Sequence, residues 1–555
     1  MQILKSSKIN KLFFGVYITF IAIMHIFHEP WFDEAQSWQI ARCASLKDMF
    51  FSIPHDEGHP PLWWLILMPF AKAGVPYEVA FTIISLIFCG LSAWLIIFKS
   101  PFRTPVKILL PFTYFLGYQT GIVTRPYGLL LLLFIFLAIF YSDRNSRPVP
   151  YIITMFLMCW LDAYGILICF GLCLTWLIEI FSEKSGDRKG YFDVMRDRRL
   201  HLLAILALGA LASTILIIPA SDALASNNNG DTNLAIRFLY LIFIAPADAI
   251  MSNTTHIDTL LSWLNLNPLY AVPALFLGGL LNFFLIRMAK KRKKILTFIL
   301  PLSFLDIFSA FIYYRITHSC VHFGFILFFV WICIEQQNEN IWSVHLKMLK
   351  DKNIETIKKV TILYIEKIML IAFLIISIYW SGAASIYDIL YPTSPSRLIA
   401  STIKDNGLEK YNILSVCDYY TGSDKKSRIV NTNIVAGVDS LPFLKSNVYY
   451  DLNNGDNSKG YIIYKRVHDD NVLKQWASKG EPDFLLGYSQ DLLDEMSGGA
   501  WTINDYIPII KLDGYAIWKD TYQHGWYYFY IHKDLLQQFP QFHEIKTENC
   551  FVAAW

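Results

Sequence analysis

The chain is interrupted again and again by apolar stretches close to the roughly 20 residues that a helix needs to cross a bilayer. They fall at roughly 12–28, 78–98, 107–121, 126–141, 149–163, 165–181, 201–219, 270–288, 295–313, 320–337 and 361–380, about eleven spans by hydropathy. A backbone placed in lipid must satisfy its own polar groups, so these stretches predict helices rather than open sheet. Of the 555 residues 54% are hydrophobic and only 17% charged, which rules out an ordinary soluble protein. The net charge of +3 is too small to point to nucleic acid. The apolar stretch after Lys11 lacks a small-residue cleavage site and runs straight into Trp31, Phe32 and Asp33, so it reads as a retained first helix. The nine cysteines are scattered, with neither a CxxC pair nor zinc spacing.

Charge placement fixes an expected orientation. With the N-terminus inside, the cytoplasmic loops carry about 25 Lys and Arg against about six outside, as the positive-inside rule favours. Segments 29–77, 118–125 and 220–269, the turns near Asp162 and Tyr314, and everything after Trp380 then face outward. The Pro61–Ala73 stretch is Trp-rich and too short to span, which predicts a helix along the interface with its aromatics at headgroup depth. After residue 380 helix-like and strand-like segments alternate with glycines, as in Ser394–Lys404, Tyr411–Val416, Asn471–Ser478 and Asp483–Tyr488. The expected fold is therefore an α-helical polytopic membrane protein over residues 1–380, followed by an extracytoplasmic α/β domain over 381–555.

The residues with chemical potential lie on the expected outer face. Asp33 and Glu34 follow the first span at once, where a carboxylate can take a proton from a hydroxyl, or simply form the acidic first turn of a capped helix. Asp56, Glu57 and His59 occupy HDEGHPPLWW; a short helix from Glu34 to Met49 and a turn would return this acid pair to the first, while a hydrated loop or a poor metal motif explains the letters equally well. Arg125 and Tyr127 open the fourth span as TRPYG, suited to a lipid phosphate or to snorkelling at the headgroups. Asp162 sits in a tight turn, where aspartate is common without any chemistry. Arg315 and His318 precede another span, with His322 one helical turn beyond, and Asp306 lies inside a span.

Taken together, WFDEAQSW, DEGHPPLWW and TRPYGLLLLL resemble, in order and topology, the GT-C glycosyltransferases, particularly the protein O-mannosyltransferase and aminoarabinose-transferase-like branch, over roughly residues 10–335. The resemblance implies a polyprenyl-phosphate sugar donor, a glycan, lipid or protein acceptor, and inversion at the anomeric carbon. It implies Asp33 as the leading catalytic carboxylate with Glu34 adjacent, Asp56, Glu57 and His59 shaping the same cleft, and Arg125, with Arg315 and His318, as donor contacts. Many relatives have a Thr-His pair where this chain has Asp162, so Asp162 departs from the pattern. Metal dependence differs among such enzymes, and two acid pairs do not decide whether a divalent cation takes part. A polymerase or ligase of lipid-linked polysaccharide and a non-enzymatic lipid-glycan transporter are the rival classes; the first is expected to carry one large arginine-rich outer loop, the second mid-bilayer charges and internal duplication.

Overall fold

The computed structural model describes residues 2–184, 195–220, 234–251, 268–314, 318–335, 354–415, 418–421, 428–431, 435–450, 460–462, 470–487, 490–518 and 521–547. These residues are mostly helical, with a small sheet near the C-terminus. Among the described residues, five helical segments are long and apolar enough to cross a membrane: Ser7–Phe27, Tyr77–Lys99, Ala163–Glu183, Arg198–Leu216 and Leu370–Leu390. Five further apolar helices among them, Leu62–Lys72, Pro126–Tyr141, Pro148–Leu161, Ile295–Phe311 and Ser319–Glu335, are shorter. The stretch 107–121 does not form one helix. It breaks into the Thr104–Leu109 helix, a 3₁₀ turn at Leu110–Phe112 and a π-helical turn at Tyr114–Gln119, because Pro111 has no N–H to continue the ladder.

The chain divides into two compact units, one made of Met1–Ala22, Ile84–Thr214 and Asn227–Ala384, the other of Ile23–Ile83, Ile215–Ser226 and Ser385–Trp555. In the first, the Ala163–Lys184 helix packs against Ile295–Phe311, and Pro126–Tyr141 against Ser319–Glu335. Glycine permits both approaches: a Cβ on Gly171 would lie 2.5 Å from the Pro301 backbone, and one on Gly324 would lie 2.4 Å from the Phe134 ring. Small residues at helix contacts let apolar helices pack where no hydrophobic force drives them together.

The second unit joins the first loop to the C-terminal residues. The helix expected over Glu34–Met49 is two helices, Phe32–Cys43 and Leu46–Phe51, since Ser45 restarts the chain by accepting the Asp48 N–H. Gly58, at φ 68°, ends the short Ile53–Glu57 helix in the left-handed region that glycine adopts without steric cost. The Leu62–Lys72 helix packs against Phe32–Cys43 and buries Trp63 and Trp64, each 3% exposed, so these two aromatics face protein rather than the expected headgroups.

Beyond residue 390, Ser396–Asp405 is an amphipathic helix, followed by Gly407 at φ 62° and strand β1 (Ile413–Ser415). Strands β2 (Asp418–Thr421) and β3 (Arg428–Asn431) form a separate antiparallel pair. Strand β4 (Phe484–Leu486) lies parallel to β1, and the long hairpin of β5 (Tyr506–Trp518) and β6 (Thr521–His532) completes a sheet of order β1-β4-β6-β5. The β5–β6 register shifts between Pro508 and Ile510, where proline withholds a ladder donor. Phe484 stacks on Phe529 at 5.5 Å inside a core that also holds Ile403, Tyr449, Trp476 and Tyr528. The ends of two expected strands, Val416 and Tyr488, lie outside the described residues.

Candidate active site

Within the second unit, the site starts where the first long helix stops. His28, Glu29 and Pro30 carry the chain into the Phe32–Cys43 helix, whose first turn holds Asp33 and Glu34, a placement that the positive helix end favours for acids. Glu34 Oε2 accepts the Trp31 N–H at 2.9 Å, so the capping role open to this acid pair falls to Glu34. The same oxygen lies 2.9 Å from His28 Nε2, and His28 Nδ1 lies 2.8 Å from Asp388 Oδ2. All three side chains are buried. An imidazole with a carboxylate at each nitrogen donates from both and so carries a positive charge. Burial alone would lower the His28 pKa, but Glu34 and Asp388 together raise it to about 10.

Asp33 is half-exposed on the same turn. One turn further on, buried Gln36 gathers the second acid pair. Its Nε2 donates to Glu57 Oε1 at 2.7 Å and to the Ile462 carbonyl at 2.8 Å, while its Oε1 accepts the Ile462 N–H at 3.0 Å. Burial pushes the Glu57 carboxyl up to about 7; the Gln36 donor and His59 hold it back in part, and Asp33 and Asp56 push it further. Glu57, held by Gln36, thus lies within electrostatic reach of Asp33, Asp56 and His59.

Three further groups complete this cluster. Glu29 accepts from the Ser396 hydroxyl and from Arg397 Nη1 at 3.3 Å, and Arg397 Nη2 donates to the His28 carbonyl at 3.1 Å. Buried Asp439 has a carboxyl pKa raised well above the usual range by burial; Ser394 opposes the shift, and Glu34, Asp33 and Glu29 add to it. Arg42 donates to the Leu441 and Leu444 carbonyls at 3.1 and 2.9 Å. The C-terminal residues, which carry no readable motif, therefore supply Asp388, Arg397, Asp439 and the Ile462 backbone to the surroundings of Asp33. A carboxyl poised near neutrality beside a partly solvated aspartate can exchange protons with a hydroxyl substrate. Among the described residues no group of three or more His, Cys, Asp or Glu side chains is placed to hold a metal ion.

The other expected residues belong to the first unit. Asp162 is fully buried and caps the Ala163–Lys184 helix, its Oδ1 accepting the Tyr164 N–H at 2.8 Å, as the turn reading of that position requires. Tyr164 Oη lies 3.0 Å from His318 Nδ1, and His318 is ringed by Tyr127, Tyr164, Tyr313 and Tyr314 at centroid distances from 4.8 to 6.0 Å. The Arg125 guanidinium lies 5.3 Å from the Tyr127 ring centroid. His322 Nε2 pairs with Asp306 Oδ1 at 3.3 Å, and Ser319 donates to Asp248 at 2.8 Å. Arg315 lies outside the described residues.

No protein-family model, no curated protein and no solved structure matches the chain.

His28, Gln36, Asp388, Arg397 and Asp439 escaped the sequence reading. HEP directly before WFDE was a usable signal for His28, since a histidine at the end of an apolar helix needs a polar partner. Asp439 offered none, being remote from the acid loop in sequence.

Proposed function

We propose that this chain is an integral-membrane glycosyltransferase that moves one sugar from a polyprenyl-phosphate-type carrier to a cell-envelope glycan, lipid or protein. The observation that carries the reading is that Glu57, held by Gln36 and raised towards neutrality, lies within electrostatic reach of Asp33, Asp56 and His59 directly after the first membrane-length helix. The resemblance of WFDEAQSW, DEGHPPLWW and TRPYG to GT-C enzymes points the same way. In the proposed topology about eleven segments cross the membrane, the N-terminus is cytoplasmic, and the acid site and C-terminal domain face outward.

The chemistry is an in-line displacement with inversion. The acceptor oxygen forms a bond to the anomeric carbon as the bond from that carbon to the phosphate oxygen breaks; the hydroxyl proton passes to the Asp33 carboxylate, and the lipid phosphate leaves with the electron pair. Glu57 takes or returns a proton beside it. Glu34 and His28 hold the helix that presents Asp33, and so act as positioning residues. A lipid-glycan transporter is the second reading, favoured by the Asp306–His322 pair on two apolar helices.

The test is purified protein in vesicles supplied with a panel of polyprenyl-phosphate sugars. Release of lipid phosphate coupled to a glycosylated product supports the transferase, whereas movement of intact lipid-linked sugar across the bilayer without bond cleavage favours the transporter.

A further inference from the structure

The Ile354–Leu390 helix ends in an outward apolar rim. Ile386, Ile389, Leu390 and Tyr391 are 60, 43, 63 and 40% exposed, and Leu398, on the next helix, is 47% exposed. Asp388 among them is turned inward to His28, so the outer surface of this turn carries no acid. In water such a cluster is unfavourable, and exposed apolar patches mark surfaces that something covers.

Two observations identify the cover. Ile386, Ile389 and Leu390 are the last exposed apolar residues of the membrane-length segment Leu370–Leu390, and Tyr391 and Leu398 carry that apolar surface beyond its end. The rim is also tied to the sheet. Tyr391 packs against Tyr387 at 4.7 Å and Tyr515 at 5.1 Å, and the Tyr515 N–H donates to the Pro392 carbonyl at 2.9 Å. Ser396–Asp405 turns Ile399, Ala400 and Ile403 into the core and leaves Leu398 outside. Tyrosines with one apolar face and one polar end favour the headgroup boundary.

We propose that the C-terminal domain rests on the bilayer through this rim, with the headgroup region covering Leu390, Tyr391 and Leu398. The contact fixes the height of β5 above the lipid, and with it the position of the Asp388–His28 pair. This inference does not depend on glycosyl transfer.

The test places the photoreactive p-benzoylphenylalanine at Tyr391 or Leu398, with Ile375, 64% exposed within the membrane-length helix, as the lipid-facing control and exposed Lys479 as the water-facing one. Each variant is reconstituted in phosphatidylethanolamine and phosphatidylglycerol vesicles, confirmed as folded by its elution profile, irradiated and analysed by mass spectrometry. Lipid adducts at Tyr391 and Leu398 comparable to those at Ile375, and at least about tenfold above Lys479, are expected for an interfacial surface. Adducts at Ile375 alone would overturn the proposal, as would cross-links from Tyr391 or Leu398 to a second copy of the chain.

Discussion

Replacing Glu57 by Gln should flatten the pH dependence of stability between about pH 4.5 and 7. In the folded chain this carboxyl is raised from 4.5 to about 7, chiefly by burial. A group whose folded pKa exceeds its unfolded one contributes stability that is complete below the unfolded value and is lost as pH rises through the folded value. At about 1.4 kcal/mol for each pKa unit the loss is roughly 3 kcal/mol, and solvent screening of a half-buried group reduces it to roughly 2–3 kcal/mol. For a unit of this size that corresponds to about 2–4 °C of melting temperature per kcal/mol. Glutamine keeps a carbonyl that can accept the Gln36 amide, so the variant removes the titration and leaves the bond. Thermal unfolding of both proteins in the same detergent, from pH 4 to 8, gives a difference curve that isolates residue 57. The wild type should lose its advantage progressively through this window. Parallel curves would refute the claim that Glu57 is held as a near-neutral acid.

Gln36→Leu strands the Ile462 N–H and C=O and removes the donor to Glu57; a loss of about 2–4 kcal/mol is expected, with faster amide exchange at Ile462, and unchanged exchange there would contradict the clamp. Asp388→Asn leaves His28 with one carboxylate in a buried setting, at a cost of roughly 3–5 kcal/mol. Because the folded His28 pKa is raised from 6.5 to about 10, the stability it supplies is complete below pH 6.5 and lost as pH rises through about 10; in Asp388→Asn that loss should move to lower pH, and an unmoved alkaline limb of the unfolding profile would argue against a charged His28.

How much of this was legible depended on the distance over which each feature is encoded. Apolar length announced the helices: four of the five long segments lie where hydropathy put them, whereas the last, Leu370–Leu390, runs past the span expected over 361–380. The break of 107–121 was marked locally by Pro111, but hydropathy does not weigh a missing N–H. The return of HDEGH towards WFDEAQ was readable as a hairpin, although Ser45 splits its helix in two. Trp63 and Trp64 misled because aromatic residues suit both a headgroup belt and a protein contact, and only the partner helix distinguishes the two. The contacts of Glu29 with Arg397 and of Gln36 with Ile462 join positions hundreds of residues apart, and nothing in spacing or periodicity encodes such a pairing.

The central claim is that a half-exposed carboxylate at residue 33 accepts the proton of the attacking hydroxyl. It is met most directly by measuring sugar release from polyprenyl phosphate in vesicles containing wild type, Asp33→Asn or Asp33→Glu. The account predicts a fall in turnover of about 10²–10⁴-fold for the asparagine, partial activity for the glutamate, and unaltered melting temperatures in all three. Turnover of the asparagine variant equal to wild type would contradict it.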